Sequence, residues 1–407
     1  MSKRIKLPLL AISLGTVIFM AAGRLVVRAS NNDGAYRQIS VYSEVLSRIR
    51  SEYVEEPNIP SVTDGALHGL LESLDANSSY LSPAQYREYK SHKREGKGEI
   101  GAAVSKRFGY AAVIAVVPGG PADKAGVENS DIIEAIGGKS TRDMSLAEIH
   151  EALSGAPGSS VDLSIVRARR AEPQKLSVTR EAENFPPVTE KLIADGGVGY
   201  VKADVLSKGK SQEIASKIKS LQKQGAKKLI LDLRNCADGD ESEGIATANL
   251  FLDHGTIAYL QGQKYPRQTF NADTQKAITN LPVVIMVNRG TAGPAEIVAG
   301  AILENGRGDV VGDKTFGVGS VQKVIEIPDG SALILSVAKY YTPSGKAIQD
   351  AAITPNVMVA DVEEDVVLPD EDENAVPTDE DKKREHQRED EQLRKAIELL
   401  KNRGNKA

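Results

Sequence analysis

Cysteine and histidine, two residue types that often carry catalysis or bind metals, are scarce in this chain of 407 residues. Cys236 is the single cysteine, so an internal disulfide and a cysteine-rich zinc site are both excluded. Because Asp238 lies two residues further on, its charge favours the unreactive thiol over the nucleophilic thiolate. The histidines do not follow the spacing of a metal site, and we expect neither a metal nor another cofactor; they are His68, His92, His150, His254 and His386.

The elements that would position functional side chains follow an α/β pattern after Pro186-Pro187. The short apolar runs Leu229–Leu231 and Val283–Val287 are typical of strands buried on both faces. Their alternation with helical periodicity predicts a sheet covered by helices. The predicted strands are Val198–Val205, Lys228–Leu233, Pro282–Asn288, a strand near Val310-Val311 and Ser331–Tyr341, and the predicted helices are Ser211–Gln224, Gly244–Leu252 and Pro294–Asn305.

Residues 97–182 show a different pattern. Apolar residues alternate with a period of two in Ala111–Val117 and Val161–Val166, and turns rich in Gly and Pro separate such runs. The spacing of Leu146, Ile149 and Leu153 predicts one helix, over Ser145–Leu153. The pattern therefore indicates a compact module made mostly of β-strands.

The N-terminus has the pattern of an export segment. Lys3, Arg4 and Lys6 precede an apolar run of 17 residues, Leu7–Gly23, which is the arrangement of a secretory signal or a signal anchor. The run continues after Arg24, so cleavage and retention as an anchor both stay open. We therefore assign residues 1–30 to a signal peptide or signal anchor. Residues 31–96 follow as a region with helical periodicity.

The formal net charge of −5 is distributed unevenly. Residues 361–390 carry −10 and residues 31–360 only −3, so the body of the protein lacks the basic field that a nucleic-acid partner requires. The acidic segment 361–380 has the composition of a solvated linker. Residues 381–407 are predicted to contain a helix that packs on the body or a partner, or stays exposed.

Two neighbouring segments, Pro118–Val127 and Asp131–Lys139, resemble the middle of a bacterial PDZ domain. PDZ domains bind an extended peptide, commonly a free C-terminus, as an added strand at a sheet edge. The resemblance implies a PDZ domain over residues 97–182. Its capture loop would be Glu99-Ile100-Gly101-Ala102, and Leu146 would lie along the helix that walls the groove. Glu99 replaces a glycine usual in this loop, and its charge opposes carboxylate binding.

Residues 35 to 402 as a whole resemble the C-terminal processing, or tail-specific, serine peptidases. The resemblance implies an α/β peptidase core of the tail-specific protease type over residues 183–360, an inserted PDZ domain that is mostly β, and a helical N-terminal region. The stretches that carry it are Ser51–Val54, Ser73–Asp75, Ser78–Leu81, Leu231–Asn235, Ala295–Ala301, Val311–Gly317 and Tyr340–Gly345.

The resemblance also locates the catalytic positions of that family, and most of them are substituted here. Gly293 occupies the position of the family's nucleophilic serine and Val318 the position of its basic lysine, so neither catalytic side chain is present. Pro294 removes one N–H donor from the oxyanion hole, and Asp238 places a carboxylate at the other oxyanion position. Gln322 keeps the polar residue that assists the lysine in the family.

These substitutions predict an exported, non-hydrolytic relative that binds protein tails through its PDZ groove or regulates an active relative. The expected partners are C-terminal tails of envelope proteins, an active peptidase relative, further copies of this chain, and the membrane through the N-terminal segment. One alternative is an active peptidase with a relocated nucleophile, for which Thr291, Lys314 and Ser320 are the nearby candidates. Another is a structural envelope protein with an empty groove.

Overall fold

The computed structural model describes residues 37–92, 98–167, 172–182, 184–193, 197–349, 351–360 and 391–402. The predicted export segment 1–30 and the predicted linker 361–380 lie outside these residues. The chain divides into two compact units, Met1–Leu67 and His68–Ala407.

The described part of the first unit is helical. Helix α1 covers residues 37–52, and α2, Ile59–Glu72, begins in this unit. Arg48 joins Glu44 and Glu52, one turn before and after it, through nitrogen–oxygen distances of 2.9 and 2.7 Å, which supports the helix from its solvent side. Across the described residues, none of the helices combines the length and the apolar character that membrane crossing requires.

The helical region predicted over residues 31–96 also contains one short strand. Asp75 Oδ1 accepts the N–H groups of Asn77 and Ser78 at 2.9 and 2.8 Å, and this turn reverses the chain after α2. Strand β1, Ser79–Leu81, follows and pairs antiparallel with β18, Ala332–Tyr341, before α3, Pro83–His92, begins. The three residues of β1 are buried, but a run this short shows no periodicity in the sequence.

The module predicted over residues 97–182 is a sheet with strand order β3-β4-β5-β7-β8, and β3 lies at its edge. Its long helix, α5, has a capping box in which the Ser145 N–H donates to Glu148 Oε2 at 2.8 Å and the Glu148 N–H donates to Ser145 Oγ at 3.3 Å. The elements are β2 Gly98–Glu99, β3 Ala102–Arg107, β4 Tyr110–Val116, α4 Pro121–Lys124, β5 Ile132–Ile136, β6 Lys139–Ser140, a 3₁₀ turn Thr141–Asp143, α5 Leu146–Leu153, β7 Ser160–Val166, β8 Gln174–Thr179 and β9 Glu181–Ala182.

The α/β part contains a six-stranded sheet with the order β10-β11-β12-β15-β16-β19. Strand β10 is antiparallel to β11 and the remaining neighbours are parallel. Its elements are β10 Thr189–Ile193, β11 Val198–Lys202, α6 Lys210–Lys223, β12 Lys228–Asp232, α7 Glu241–Asn249, β15 Val283–Val287, α8 Pro294–Glu304, β16 Gly308–Gly312 and β19 Val357–Met358. The predicted strands and helices of this region are present, with ends that differ by a few residues.

A second sheet was predicted only in part. Its strand order is β1-β18-β13-β14, and β17 also pairs antiparallel with β18. Strand β18 matches the prediction. Strands β14 and β17 are exposed or half-buried along their length and carry a weak apolar signal, whereas β13 is mostly buried and was not predicted. The three strands are β13 Thr256–Gln261, β14 Gln268–Asn271 and β17 Ser320–Glu326.

The order of the parallel strands decides which face the helices cover. Each crossover from β11 to β16 moves in the same direction along the sheet, so right-handed connections place α6, α7 and α8 on one face. Side chains alternate accordingly: Leu229 and Leu231 pack on this side, and Ile230 on the other.

Helix α9, residues 391–402, covers the opposite face of this sheet. Ala396 and Leu400 are fully buried against Ile230, Val284 and Met286. Of the three placements that the sequence left open for the C-terminal helix, packing on the body is therefore the one observed. Residues 381–390, which were expected to extend this helix, lie outside the described residues.

We expect Leu400→Ala to lower the free energy of unfolding by about 2–5 kcal/mol, since the change leaves a cavity between α9 and the sheet. Urea unfolding of the full chain measures this. Glu398→Ala, on the exposed side of α9, is the matched control and should change stability by less than about 0.5 kcal/mol. Equal stability of the two variants would contradict the packing of α9 on the sheet.

Candidate functional site

The turn between β15 and α8 has an unusual backbone conformation. Gly293, immediately before the helix, has φ 58° and ψ −119°. A side chain at this φ would strain the backbone by about 1–3 kcal/mol. No atom lies within 4 Å of the position that a Cβ would occupy, so the turn has room for a side chain but does not contain one. Pro294 begins α8 and supplies no N–H.

The carboxylate of Glu296, in the first turn of α8, is completely buried and accepts hydrogen bonds on both oxygens. The N–H groups of Gly293 and Val318 donate to Oε2 at 3.0 and 2.8 Å. The Gly317 N–H donates to Oε1 at 2.9 Å, and the Thr315 hydroxyl donates to the same oxygen. Burial raises the pKa of Glu296 to about 7, although these donors favour the charged form and oppose the shift.

The structure therefore brings together the positions expected for the nucleophile and the base. Gly293 and Val318 are 25 residues apart in sequence, yet their N–H groups meet at one carboxylate oxygen. Neither position supplies a group that can attack a carbonyl or accept a proton. The two positions contribute only backbone N–H groups to the site.

The turn that follows β12 lies beside this site. The Ala292 N–H donates to the Cys236 carbonyl at 3.0 Å, and the Asn235 N–H donates to Asn288 Oδ1 at 2.9 Å. Asp238, at the expected oxyanion position, is exposed, and its Oδ1 accepts the N–H of Gly239 at 2.7 Å. A carboxylate thus lies in the turn where the resemblance requires an oxyanion donor.

Cys236 is fully buried within this turn. Burial, reinforced by the charges of Asp204, Asp238 and Asp232, raises the pKa of the Cys236 thiol well above its usual value. The side chain is therefore a protonated thiol in a closed environment, which is unsuitable for nucleophilic attack.

Of the candidate replacement groups, Thr291 is already committed to the fold. Its buried hydroxyl donates to the Leu233 carbonyl at 2.8 Å and accepts the Asn288 N–H at 3.0 Å. Lys314 is exposed. A nucleophile needs an accessible oxygen with a base in reach, and Thr291 does not meet the first condition.

Gln322 and Ser320 belong to a polar cluster at the start of β17. The Gln322 amide donates to Ser320 Oγ at 2.8 Å and to Ser336 Oγ at 3.4 Å. The Asn77 amide donates to Ser320 Oγ at 3.0 Å, and the Ser336 hydroxyl donates to Asp75 at 3.1 Å. The assisting glutamine therefore contacts serines of this cluster.

The residues expected to form the peptide groove lie around the edge strand β3. Ile100 is buried, Gly101 has φ 71°, and Ala102 begins β3. Leu146 is buried at the start of α5, while Ile149 and Leu153 of the same helix pack in one cluster with Ile100 and Val104. Within the described residues, the N–H groups of Ile100 and Gly101 have no recorded hydrogen-bond acceptor, which leaves two donors for a carboxylate.

Two further residues line this groove. Ser154 Oγ lies 2.9 and 3.0 Å from the two carboxylate oxygens of Glu99 and 2.8 Å from the His150 carbonyl, and its single proton is shared among these acceptors. His150 Nε2 lies 3.2 Å from the Val104 carbonyl. Sequence reasoning missed His150, although its spacing of four from Leu146 places both on one face of α5.

No three His, Cys, Asp or Glu side chains converge within the described ranges in a way that could hold a metal ion.

We expect the pH dependence of stability to report the buried carboxyl of Glu296. Its pKa is about 7 in the folded chain against an ordinary 4.5. The folded state therefore holds the extra proton between these values, and the free energy of unfolding falls by about 3 kcal/mol as pH rises from 4.5 through 7. Urea unfolding across this range should show the fall in the unsubstituted chain and not in Glu296→Gln.

Glu296→Gln should also be less stable throughout the range, because an amide nitrogen cannot accept the N–H groups that converge on the carboxylate. The matched control is Glu398→Gln, an exposed glutamate on α9. Identical pH profiles for Glu296→Gln and the unsubstituted chain would show that Glu296 does not titrate as described.

Comparison with known protein families identifies two regions of the chain. The model of peptidase family S41 matches residues 197–359, and a PDZ domain model matches residues 113–167. The predicted α/β peptidase core and PDZ domain are thereby confirmed as the fold class.

Individual relatives extend the match over most of the chain. The carboxyl-terminal-processing protease of Picosynechococcus sp. is 36% identical over 320 residues, which cover 76% of this chain and 76% of the relative. The carboxy-terminal processing protease CtpA of Bacillus subtilis is 31% identical, over 81% of this chain and 70% of the relative. Among solved structures, the photosystem II D1 C-terminal processing protease is similar with a TM-score of 0.64 and 25% identity, covering 79% of this chain and 92% of that one. The chain belongs to the carboxyl-terminal-processing proteases of peptidase family S41.

Proposed function

We propose that this chain is a non-hydrolytic member of its family, which binds protein tails through its PDZ groove or regulates an active relative. The observation that carries the proposal is the pair Gly293 and Val318. Their N–H groups share one oxygen of Glu296, so the site retains close backbone geometry where the nucleophile and the base would stand. Neither residue has a group for peptide hydrolysis.

The expected reductions in the rate of hydrolysis support the loss of activity. Removal of one member of a nucleophile and base unit costs a factor of about 10⁴ to 10⁶ in rate, and removal of one oxyanion donor costs about 10² to 10³. Pro294 lacks the N–H of one donor, and the Asp238 carboxylate opposes a developing negative charge nearby. Residual hydrolysis by the family mechanism would therefore be far below measurable turnover.

The PDZ domain retains a free strand edge and N–H donors, which peptide binding requires. Strand β3 lies at the edge of its sheet, so its outer side can receive an extended chain. The N–H groups of Ile100 and Gly101 are available donors, as described above. Glu99 lowers the affinity for a carboxylate by its charge, although the Ser154 hydroxyl lies within hydrogen-bond distance of its carboxylate.

We infer that the protein acts outside the cytoplasm, in the cell envelope. The inference rests on the basic residues and the apolar run within residues 1–30, which would also provide the contact with the membrane. The corresponding partners are C-terminal tails of envelope proteins, an active family member, or further copies of the chain.

We expect the full chain to bind peptides that end in a free carboxylate and to leave them intact. Fluorescence anisotropy with labelled decapeptides that have an apolar last residue measures binding, and mass spectrometry of the same samples measures cleavage. The amidated form of each peptide should bind at least about 10-fold more weakly, because it loses charge-assisted hydrogen bonds to the loop. Equal binding of both forms would exclude tail capture.

A specific observation favours one second candidate, a peptidase with a relocated serine. Ser320 on β17 lies opposite Lys339 on β18 in the strand register, so a hydroxyl and an amine are neighbours on adjacent strands. Asn77 and Gln322 both donate to Ser320 Oγ, and such bonds would orient the hydroxyl.

A fluorophosphonate probe, which labels activated serine hydroxyls, distinguishes the two functions. We expect no labelling of the full chain, since the position before α8 carries no hydroxyl. Labelling that disappears in Ser320→Ala and persists in Thr291→Ala would replace our proposal with the relocated serine. An active family member, labelled in parallel, controls for the reactivity of the probe.

A further inference from the structure

The groove between β3 and α5 is crossed by three side-chain contacts, one near each end and one in the middle. They join the strand and its preceding loop to the helix and its ends. The contacts are Lys106 Nζ to the Met144 carbonyl at 2.7 Å, His150 Nε2 to the Val104 carbonyl at 3.2 Å, and Ser154 Oγ to Glu99 Oε1 at 2.9 Å.

The carbonyl that His150 contacts is a pairing group of the free strand edge. Val104 stands opposite Val113 on β4. The N–H of Val113 donates to the Asp131 carbonyl at 2.8 Å and its carbonyl accepts the Ser130 N–H at 2.9 Å, both on the side away from β3. In an antiparallel ladder, opposed residues either exchange both bonds or turn both away from each other. The register shifts between Ala103 and Val104, but the ladder rule and the His150 contact agree that the Val104 carbonyl points away from β4, to the free edge of β3.

An added strand and the His150 contact compete for this carbonyl. A chain that joins β3 from the groove side takes N–H···O bonds with the outward carbonyls of the strand. The imidazole occupies the space beside one of them. Because a carbonyl can only accept, the contact is a hydrogen bond only when Nε2 carries the proton.

His150 is the contact best able to move among the three. Its side chain is exposed, so the ring can rotate into solvent without burying a polar group. Lys106 is only 8% exposed and is also held by Glu72 at 2.6 Å. Glu99 and Ser154 lie at the capture loop, beyond the stretch of β3 that would pair with a chain.

We propose that His150 closes the PDZ groove and sets its affinity: its bond to the Val104 carbonyl and the binding of a protein tail are mutually exclusive. This inference rests on the proposed tail binding. Tail binding must displace the ring, so the measured affinity is reduced by the strength of one hydrogen bond. A donor at position 150 therefore weakens binding, whereas a direct contact with the peptide would strengthen it.

The test compares three variants of the full chain: His150→Ala, His150→Gln, which keeps an N–H donor, and His254→Ala, which changes an exposed histidine of the α/β part. The probe is the tightest-binding labelled decapeptide with a free carboxylate. His150→Ala should bind it about 2- to 12-fold more tightly than the unsubstituted chain, which is the range for one net hydrogen bond. His150→Gln and His254→Ala should bind it like the unsubstituted chain.

Amide hydrogen exchange of the chain without peptide tests separately whether His150 covers the groove. Residues 102–107 should exchange faster in His150→Ala than in the unsubstituted chain, because the groove side of β3 loses its cover. His254→Ala should leave this segment unchanged.

The two readouts separate failure of the closure from failure of tail binding. Unchanged exchange in His150→Ala, or equal or weaker peptide binding by that variant, overturns the role of His150 while tail binding itself stands. Faster exchange with no peptide bound by any of the chains overturns tail binding. It thereby also overturns the proposal that His150 sets the affinity for tails.

Discussion

The carboxylate of Glu296 is the interaction on which the geometry of the site depends. It lies between the turn that begins α8 and the loop that carries Val318, and it accepts an N–H group from each at one oxygen. Because the carboxylate is fully buried, loss of these bonds would leave several polar groups without partners. The two segments are therefore fixed to each other whether or not they carry catalytic side chains. The local structure therefore does not depend on the side chains of a nucleophile and a base. This explains how the fold persists with glycine and valine at the two positions.

Helix α5 connects the peptide groove to the rest of the second unit. One side of the helix contacts β3 through His150. On another side, Glu148 accepts the Gln85 amide of α3 at 2.6 Å, and Ala147 packs against the cluster that contains Leu81 and Ile334. A change in the groove that shifts α5 would alter these contacts. The helix therefore joins the groove to α3 and to the cluster around Leu81.

The sequence predicted the central strands of the six-stranded sheet, whose burial is uniform. The runs Leu229–Leu231 and Val283–Val287 lie in strands covered on both faces, so nearly every residue is apolar and the signal is strong. Strand β17 has no fully buried residue, and β1 has three residues in all, so neither produced a readable period. Their pairing with β18 is decided by contacts distant in sequence, which a local pattern does not contain.

The sequence named positions for the site but not the residue that holds them together. Motif order placed Gly293 and Val318 at two expected catalytic positions, and the structure brings them together. The role of Glu296 was missed, although a glutamate three residues after a helix start is the pattern of a residue that reaches back to the first N–H. His150 was missed because a lone histidine on a helix has no meaning until the strand opposite is known.

Incubation of the purified full chain with an unstructured reporter protein tests the central claim most directly, with intact mass spectrometry over a day and an active family member in parallel. The account predicts that the active relative shortens the reporter while this chain leaves its mass unchanged. Reporter fragments that form in proportion to the amount of this chain, and persist when contaminating proteases are inhibited, would contradict it.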